Sequence, residues 1–272
     1  MRLSGVIGGV GPLRSGMSLA SVEPLIERAF AQKHLNAVAL VINSPGGSPA
    51  QSALIAKRIR DLAREKEVPV LAFCEDVAAS GGYWLACAAD EIFVQPTSIV
   101  GSIGVITSGF GFTSLMEKLG VERRVYTAGE HKSTLDPFLP ENPDDVARLR
   151  ALQVELHEVF KDMVRDRRGH RLKAADDVLF SGEFWAGGKA VELGLADSQG
   201  ELRQVLRDRF GKRVRLRRIQ GPKRLLRRLG LGRGRAGGGV APWAAGVPAP
   251  EDWAAGMMAA VEERALWSRF GI

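Results

Sequence analysis

Two continuous apolar runs most constrain how this chain can fold. The runs Ala37–Ile42 and Val68–Cys74 have the length of a strand and lack the polar alternation of a half-exposed one. Between them, Ala50–Glu65 has the spacing of an amphipathic helix, with apolar residues on one face and lysine and arginine on the other. This succession of strand, helix and strand predicts an α/β fold, a parallel sheet with crossover helices.

The same patterns extend along the chain. They predict further strands at Arg2–Ile7, Glu91–Val94 and Arg124–Tyr126, and further helices at Ser21–Gln32, Ser80–Ala89 and Pro143–Arg168. At Ala190–Ser198 they predict a helix that is closed by the glycine of Leu193-Gly194-Leu195 and leads into a strand. The long helix that starts at Pro143 has an apolar stripe, which indicates packing against the core or against another subunit. The stripe consists of Val146, Leu149, Leu152, Leu156, Val159, Phe160 and Met163.

The net charge of +7 first suggests an acidic partner, but the charge is unevenly distributed. Residues 211–235 contain 11 lysines and arginines and no acidic residue, so the remaining chain has a net charge of −4. Leucine, valine and isoleucine alternate with these arginines, which favours binding to an anionic membrane surface. A solvated or subunit-contacting tail is the alternative. Nucleic acid fits less well, because no recognition motif accompanies the charge.

These changes in composition divide the chain into four parts. We expect a globular domain at residues 1–210, a basic amphipathic segment at 211–235, a linker rich in Ala, Gly and Pro at 236–250 and a C-terminal helix at 251–272. Neither a signal peptide nor a membrane-spanning segment is evident, so we expect a cytoplasmic protein, with peripheral membrane attachment through the basic segment. Only two cysteines are present, which excludes a disulfide framework and a cysteine-based zinc site.

The most informative candidate for chemistry is Ser80, which follows a predicted strand and precedes Gly81-Gly82 at the start of a predicted helix. The free N–H groups of a helix start can hold a negative oxygen, and glycine lets a carbonyl approach the backbone. Ser80 is therefore a candidate nucleophile and the Gly81 N–H a candidate oxyanion donor. The alternative is a serine whose side chain simply caps the helix.

A second turn, Ser44-Pro45-Gly46-Gly47, also follows a buried strand and precedes a helix. Turns at the carboxyl ends of neighbouring parallel strands face one crevice, where ligands bind in open α/β sheets. The Gly47 N–H is then a candidate second oxyanion donor. Taken alone, a Pro-Gly-Gly sequence indicates no more than a turn.

A serine nucleophile needs a base. His34, His157 and His170 fall on predicted solvated faces or helix ends, so none is a strong candidate. Lys132 lies among small residues and precedes an apolar stretch, and burial there would favour the neutral amine that a base requires. An exposed loop lysine is the alternative.

These motifs, taken in order, resemble the signal peptide peptidase A family of serine peptidases, including its shorter SohB-like members. The resemblance covers roughly residues 2–210. It rests on Ser44-Pro45-Gly46-Gly47, Ala79-Ser80-Gly81-Gly82-Tyr83, Val100-Gly101-Ser102-Ile103-Gly104-Val105, Gly129-Glu130-His131-Lys132, Ser181-Gly182-Glu183-Phe184-Trp185 and the run from Ala190 to Asp197. Most members of the family begin with a membrane anchor, which is not evident here.

The resemblance implies a crotonase- and Clp-like ββα superhelix, to which this chain adds a C-terminal extension. It implies a dyad of Ser80 as nucleophile and Lys132 as general base, without metal or cofactor. Gly47 and Gly81 would form the oxyanion hole, and Ser102 would orient the lysine. Family members form rings or domes, so we expect a homo-oligomer whose dyad is completed within one subunit or across a subunit boundary.

The expected substrates are short, mainly apolar peptides such as signal-peptide remnants. Two other functions stay open. A scaffold with a decayed site would lack a reactive serine. A crotonase-type acyl-CoA enzyme would place carboxylates near the second turn, where this sequence has Ser80.

Overall fold

The computed structural model of this chain describes residues 1–9, 16–220, 260–261 and 263–271. Its strands are β1 Arg2–Ser4, β2 Val38–Ser44, β3 Val70–Ala79, β4 Glu91–Val94, β5 Ile99–Gly101, β6 Phe184–Ala186 and β7 Ser198–Gln199. Its helices are α1 Leu19–Phe30, α2 Pro49–Lys66, α3 Gly81–Ala86, α4 Thr113–Leu119, α5 Pro143–Arg168, α6 Asp176–Leu179, α7 Gly187–Glu192 and α8 Leu202–Phe210, with a 3₁₀ turn at Gly169–Arg171.

The strands form one sheet, which confirms the predicted α/β class. Its main path runs in the order β1-β2-β3-β4-β7, and every pair along this path is parallel. β5 pairs in parallel with the far end of β3, and β6 pairs antiparallel with β5. Because β2 and β3 are adjacent and parallel, the turns that follow them lie at the same edge of the sheet.

β3 is longer than predicted and ends immediately before Ser80. Its residues Leu71–Cys74 pair with β4, whereas Val77–Ala79 pair with β5. Asn43 supports the irregular stretch between these halves, since its amide nitrogen donates to Asp76 (2.5 Å) and its amide oxygen accepts from the Val77 N–H (3.3 Å). The apolar run in the sequence stops at Cys74, so this polar continuation of the strand could not be predicted from it.

The predicted helix at Pro143–Arg168 is confirmed as α5, but its apolar stripe is only partly covered. Phe160 is buried in the core and stacks on Trp84 of α3, with ring centroids 4.8 Å apart. In the middle of α5, Leu152 and Val159 leave 50% and 57% of their surface exposed, whereas Val146 and Leu149 nearer its start are half-buried. The stripe therefore packs against this chain around Phe160 and faces outward over the middle of the helix.

The strand predicted at Arg124–Tyr126 is wrong. Residues 121–127 form neither strand nor helix, and Tyr126 is 91% exposed. A strand needs a neighbour for its backbone N–H and C=O groups, and none of the described strands lies beside this segment. Its adjacent Val125 and Tyr126 are residue types that favour strands, but among the described residues the segment has no partner strand.

The basic segment begins against the globular domain. Within its described part, Val214 packs beside Leu206 and Phe210, and Ile219 is buried in the main core. The arginines of this part are exposed, as the predicted amphipathic character requires. The remainder of the basic segment and the predicted linker at 236–250 lie outside the described residues.

The helix predicted at the C-terminus is present at residues 260–261 and 263–268, here called the C-terminal helix. Its predicted beginning lies outside the described residues. In the parts of the chain that the structure describes, no helix has both the length and the apolar composition needed to cross a membrane.

One buried ion pair joins the end of α5 to Asp197, in the segment between α7 and β7. The Arg168 guanidinium, whose side chain is 2% exposed, donates to the Gly194 carbonyl (2.9 and 3.0 Å) and to Asp197 (2.8 and 3.1 Å). Asp197 also accepts from the N–H of Ile92 at the start of β4 (2.7 Å). Burial raises the pKa of Asp197, but the hydrogen bonds from Arg168 and Ile92 outweigh it, and the net pKa lies below the ordinary 3.8.

Replacing Asp197 with alanine should lower the free energy of unfolding by about 3–5 kcal/mol, because it leaves the buried Arg168 charge uncompensated. Asp166→Ala, at an exposed position on the same helix as Arg168, is the control and should change the free energy of unfolding by about 0.5 kcal/mol or less. Since the folded-state pKa of Asp197 is depressed, its contribution is present at neutral pH and is lost as the pH falls below about 4. Urea unfolding curves at several pH values measure both effects, and equal midpoints for the two variants at pH 7 would contradict the assignment.

Candidate active site

Ser80 sits in a strained turn between β3 and α3. Its φ is 52° and its ψ −123°, in the left-handed half of backbone space, which costs a serine on the order of 1–3 kcal/mol. Two hydrogen bonds hold the turn, from the Ser80 N–H to the Gly101 carbonyl (2.8 Å) and from the Trp84 N–H to the Ser80 carbonyl (3.0 Å). Although Ser80 precedes α3, its side chain makes no capping hydrogen bond. The helix-cap interpretation is therefore wrong, and the Oγ is available for chemistry.

The turn after β2 packs directly against Ser80. Gly46 and Gly47 have φ values of +101° and +137°, which residues with a Cβ rarely adopt. A Cβ on Gly46 would lie 2.8 Å from both the nitrogen of Gly81 and the Cβ of Ser80, and one on Gly47 would overlap the carbonyl oxygen of Ile7. Only glycine allows the two turns to approach this closely.

The two predicted oxyanion donors are brought together. A Cβ built on Gly81 would lie 3.4 Å from the nitrogen of Gly47, so the two backbone N–H groups are neighbours. Among the described residues, neither of these N–H groups is used in a hydrogen bond. A pair of unused backbone donors beside a serine hydroxyl can hold the oxyanion of an acyl-transfer intermediate.

Ser102 lies close to the same turn. It directly follows Gly101, whose carbonyl binds the Ser80 N–H, and it is 5% exposed with a φ of 53°. Its own N–H donates to the Glu183 carbonyl (2.6 Å). The predicted site residues Gly47, Ser80, Gly81 and Ser102 thus gather at one edge of the sheet.

Sequence reasoning missed His157, which it placed on a solvated face of α5. Its ring Nε2 lies 3.0 Å from the Ile103 carbonyl, so the imidazole braces the segment that leads from Ser102 to the cavity beside Ser80. The only available signal was its place three residues before Phe160, and that spacing does not distinguish an inward-facing histidine from a half-exposed one.

Lys132 is not brought to this edge within one chain. It is exposed on a loop turn, with its backbone N–H donating to the Gly129 carbonyl (3.2 Å), and it is not among the residues that line the cavity beside Ser80. The loop is connected to the start of α5 by a hydrogen bond from the Leu135 N–H to Asp145 (3.1 Å).

A cavity of about 290 Å³ opens beside Ser80. Its walls come from the two turns, from the segment after β5, from α3 and α5, and from the C-terminal helix with the residue after it. The lining residues are Pro45, Gly47, Ser48, Pro49, Ser80, Gly81, Trp84, Gly104, Val105, Ile106, Leu156, Phe160, Leu266 and Arg269. Apolar groups predominate, and no Asp or Glu is among these residues. Across the described part of the chain, no three His, Cys, Asp or Glu side chains are grouped so that they could hold a metal ion.

Comparison with known proteins identifies the family. The model of peptidase family S49 matches residues 62–212, more than half of the chain. The parallel α/β sheet is consistent with the crotonase- and Clp-like fold of that family.

Three relatives illustrate the range of similarity. A Brucella abortus (strain 2308) protein named "Na(+)/H(+) antiporter NhaA" is 51% identical over 274 residues, which cover 100% of this chain and 36% of that protein. "Serine protease SPPA, chloroplastic" of Arabidopsis thaliana is 32% identical over 76% of this chain and 31% of its own length. "Probable protease SohB" of Buchnera aphidicola subsp. Acyrthosiphon pisum is 33% identical over 65% of this chain and 51% of its own length.

The chain thus spans at most about half the length of these curated relatives. The family match, the similarity to proteins with SppA and SohB names and the parallel sheet together show that this chain belongs to peptidase family S49, in its SppA- and SohB-type group.

Proposed function

We propose that this chain is a serine endopeptidase in which Ser80 is the nucleophile and Lys132 the general base. The observation that supports it most directly is the strained turn at Ser80, whose Oγ is not used as a helix cap and lies beside two unused backbone N–H groups. Strain of this kind persists where the surrounding structure enforces it, and it places a side chain where a regular helix or strand could not.

The reaction proceeds through an acyl-enzyme. The neutral amine of Lys132 takes the proton from the Ser80 Oγ as that oxygen attacks the peptide carbonyl carbon. The N–H groups of Gly47 and Gly81 stabilise the negative oxygen of the tetrahedral intermediate. The Lys132 ammonium then gives its proton to the leaving nitrogen as the C–N bond breaks, and water hydrolyses the serine ester with Lys132 again as base.

The cavity supports the proposed substrate class. Trp84, Phe160 and Ile106 present apolar surface next to Ser80, which suits apolar peptide side chains. No Asp or Glu is among the described residues that line this cavity, which argues against a crotonase-type acyl-CoA enzyme. Short, mainly apolar peptides, such as the remnants of signal peptides, are therefore the proposed substrates.

Ser80→Ala and Lys132→Ala should each lower kcat for apolar peptides by on the order of 10³- to 10⁶-fold, because each removes a group that forms or breaks bonds. Lys118→Ala, which removes another exposed lysine from α4, is the matched control and should cleave at the wild-type rate. The assay is cleavage of a peptide library followed by mass spectrometry. Wild-type rates for the Ser80 or Lys132 variant would show that the dyad is wrong, and a wild-type chain that neither cleaves peptides nor reacts with a serine-directed probe would indicate a scaffold.

The exposed position of Lys132 supports completion of the dyad across a subunit boundary. A lysine acts as a base only as the neutral amine, which an apolar cover favours. Large apolar side chains near it in sequence and on α5 are exposed, and a second copy of this chain would bury them. They include Ile106, Phe110, Leu119, Val121, Tyr126, Leu152, Val154 and Val159. We therefore propose a homo-oligomer in which Ser80 of one copy meets Lys132 of another.

Mixing the two inactive variants tests this arrangement. If Ser80 and Lys132 come from different copies, Ser80→Ala and Lys132→Ala chains that are unfolded and reassembled together in equal amounts should recover about a quarter of wild-type activity, because random pairing makes about a quarter of the sites complete. Each variant reassembled with itself is the control. Sedimentation velocity should show an assembly larger than a monomer. No recovery in a mixture that does assemble would place both residues in the same copy.

The basic segment suggests where the enzyme works. We propose that residues 211–235 bind an anionic membrane surface, and the exposure of the arginines in their described part supports this. Each basic residue near such a surface contributes about 1 kcal/mol.

Replacing Lys223, Arg224, Arg227 and Arg228 together with glutamine should reduce sedimentation with phosphatidylserine vesicles by on the order of 10²-fold or more. Vesicles of phosphatidylcholine alone are the control and should bind neither protein. Equal binding of wild type and variant to the anionic vesicles would show that this charge does not act at a membrane.

A further inference from the structure

The C-terminal helix occupies part of the cavity that contains Ser80. Leu266 of this helix and Arg269 just beyond it line the same space as Ser80, Gly81 and Trp84. The segment reaches the globular domain after a long stretch that lies outside the described residues.

Phe270 anchors this segment at the base of the Ser80 turn. It is 7% exposed and packs against Val77 and Ala79, the last residues of β3. Its ring meets the Phe184 ring edge-on, with centroids 5.0 Å apart. Trp267 contacts the same cluster and also packs near Val6. The C-terminal segment thus rests on the strand that carries the nucleophile.

The backbone of this segment is not presented as a substrate. The Phe270 N–H donates to the Trp267 carbonyl and the Gly271 N–H to the Ser268 carbonyl, as in a helix end. A peptide to be cleaved must offer an extended, unpaired carbonyl to the oxyanion donors. The segment therefore fills space beside Ser80 without offering a peptide bond for attack.

We propose that the C-terminal helix is an intramolecular inhibitor, which competes with peptide substrates for the cavity beside Ser80. The inference rests on the proposed function, since it treats that cavity as the substrate site. The described part of the helix is held to the globular domain by a few apolar contacts, which a substrate that binds in the cavity can displace. Leu266, Trp267 and Phe270 are those contacts.

The kinetic consequence is that of a competitor tethered to the enzyme. When only a fraction of the molecules have an open cavity, the apparent affinity for substrate falls by that fraction, whereas saturating substrate still displaces the helix. The apparent KM is therefore raised and kcat is not.

Leu266→Asp in the full chain is the main test, because it places a charge on the side chain that enters the apolar cavity. Ala265→Asp is the matched control, since it adds the same charge one residue earlier at an exposed position of the same helix. We expect Leu266→Asp to lower KM for an apolar peptide by about 3- to 10-fold with kcat unchanged, and Ala265→Asp to match the wild type. The same KM for all three proteins would overturn the inhibitory role.

A binding measurement separates this inference from the proposed function. The measurement uses chains that also carry Ser80→Ala, so that binding is measured without cleavage. In these chains a fluorescent apolar peptide should bind about 3- to 10-fold more tightly when Leu266→Asp is present than when Ala265→Asp is present. If that difference appears although the wild type and the Leu266→Asp chain, both with Ser80 intact, cleave no peptide, the peptidase assignment fails and the competition by the helix stands. If the two chains bind the peptide equally, the competition is refuted even where the wild type is an active peptidase.

Discussion

The parallel pairing of β2 with β3 is the constraint on which the rest of the site depends. It brings the ends of two strands to one edge of the sheet, and the turns that follow them then meet with no space for a Cβ at Gly46, while Ile7 leaves no space for one at Gly47. Ser44, fully buried at the end of β2, secures this meeting: its hydroxyl donates to the Gly5 carbonyl (2.7 Å) and accepts from the Gly46 N–H (3.2 Å). The N–H groups of Gly47 and Gly81, the proposed oxyanion donors, are therefore positioned by the fold itself.

The strain at Ser80 is maintained by the way β3 divides its partners. Because the last residues of β3 leave β4 and pair with β5, the Gly101 carbonyl lies where it can accept the Ser80 N–H. The same pairing places Ser102 beside the site. His157, on α5, contacts the carbonyl of the following residue, Ile103. The strained serine and its neighbours are thus held by contacts with the core. The buried pair of Arg168 and Asp197 connects the C-terminal end of α5 to the same core.

The packed sheet contrasts with the segment between β5 and α5. The sheet residues around Ser80 are almost wholly buried, whereas Ile106, Phe110 and Tyr126 are exposed along with Lys132. The proposed oxyanion donors thus lie in the packed core, whereas Lys132, the proposed base, lies on an exposed part of the chain. The proposed assembly of a second copy and the proposed inhibition by the C-terminal helix would both act on the exposed parts of the site and leave these donors in place.

Local sequence was enough to predict the α/β class, most of the strand and helix order around the site and the candidates Ser80, Gly47 and Gly81, because apolar periodicity and glycine-rich turns are encoded within a few residues. It was not enough for the extension of β3 to Ala79, the missing strand at Arg124–Tyr126, the inward contact of His157 or the placement of Leu266 in the cavity. Each of these depends on residues that are distant in the sequence. A strand needs a partner strand, a carbonyl needs a hydrogen-bond donor and an apolar side chain needs a cavity. Only the tertiary structure supplies those neighbours, since residues far apart in the chain become adjacent when the sheet closes.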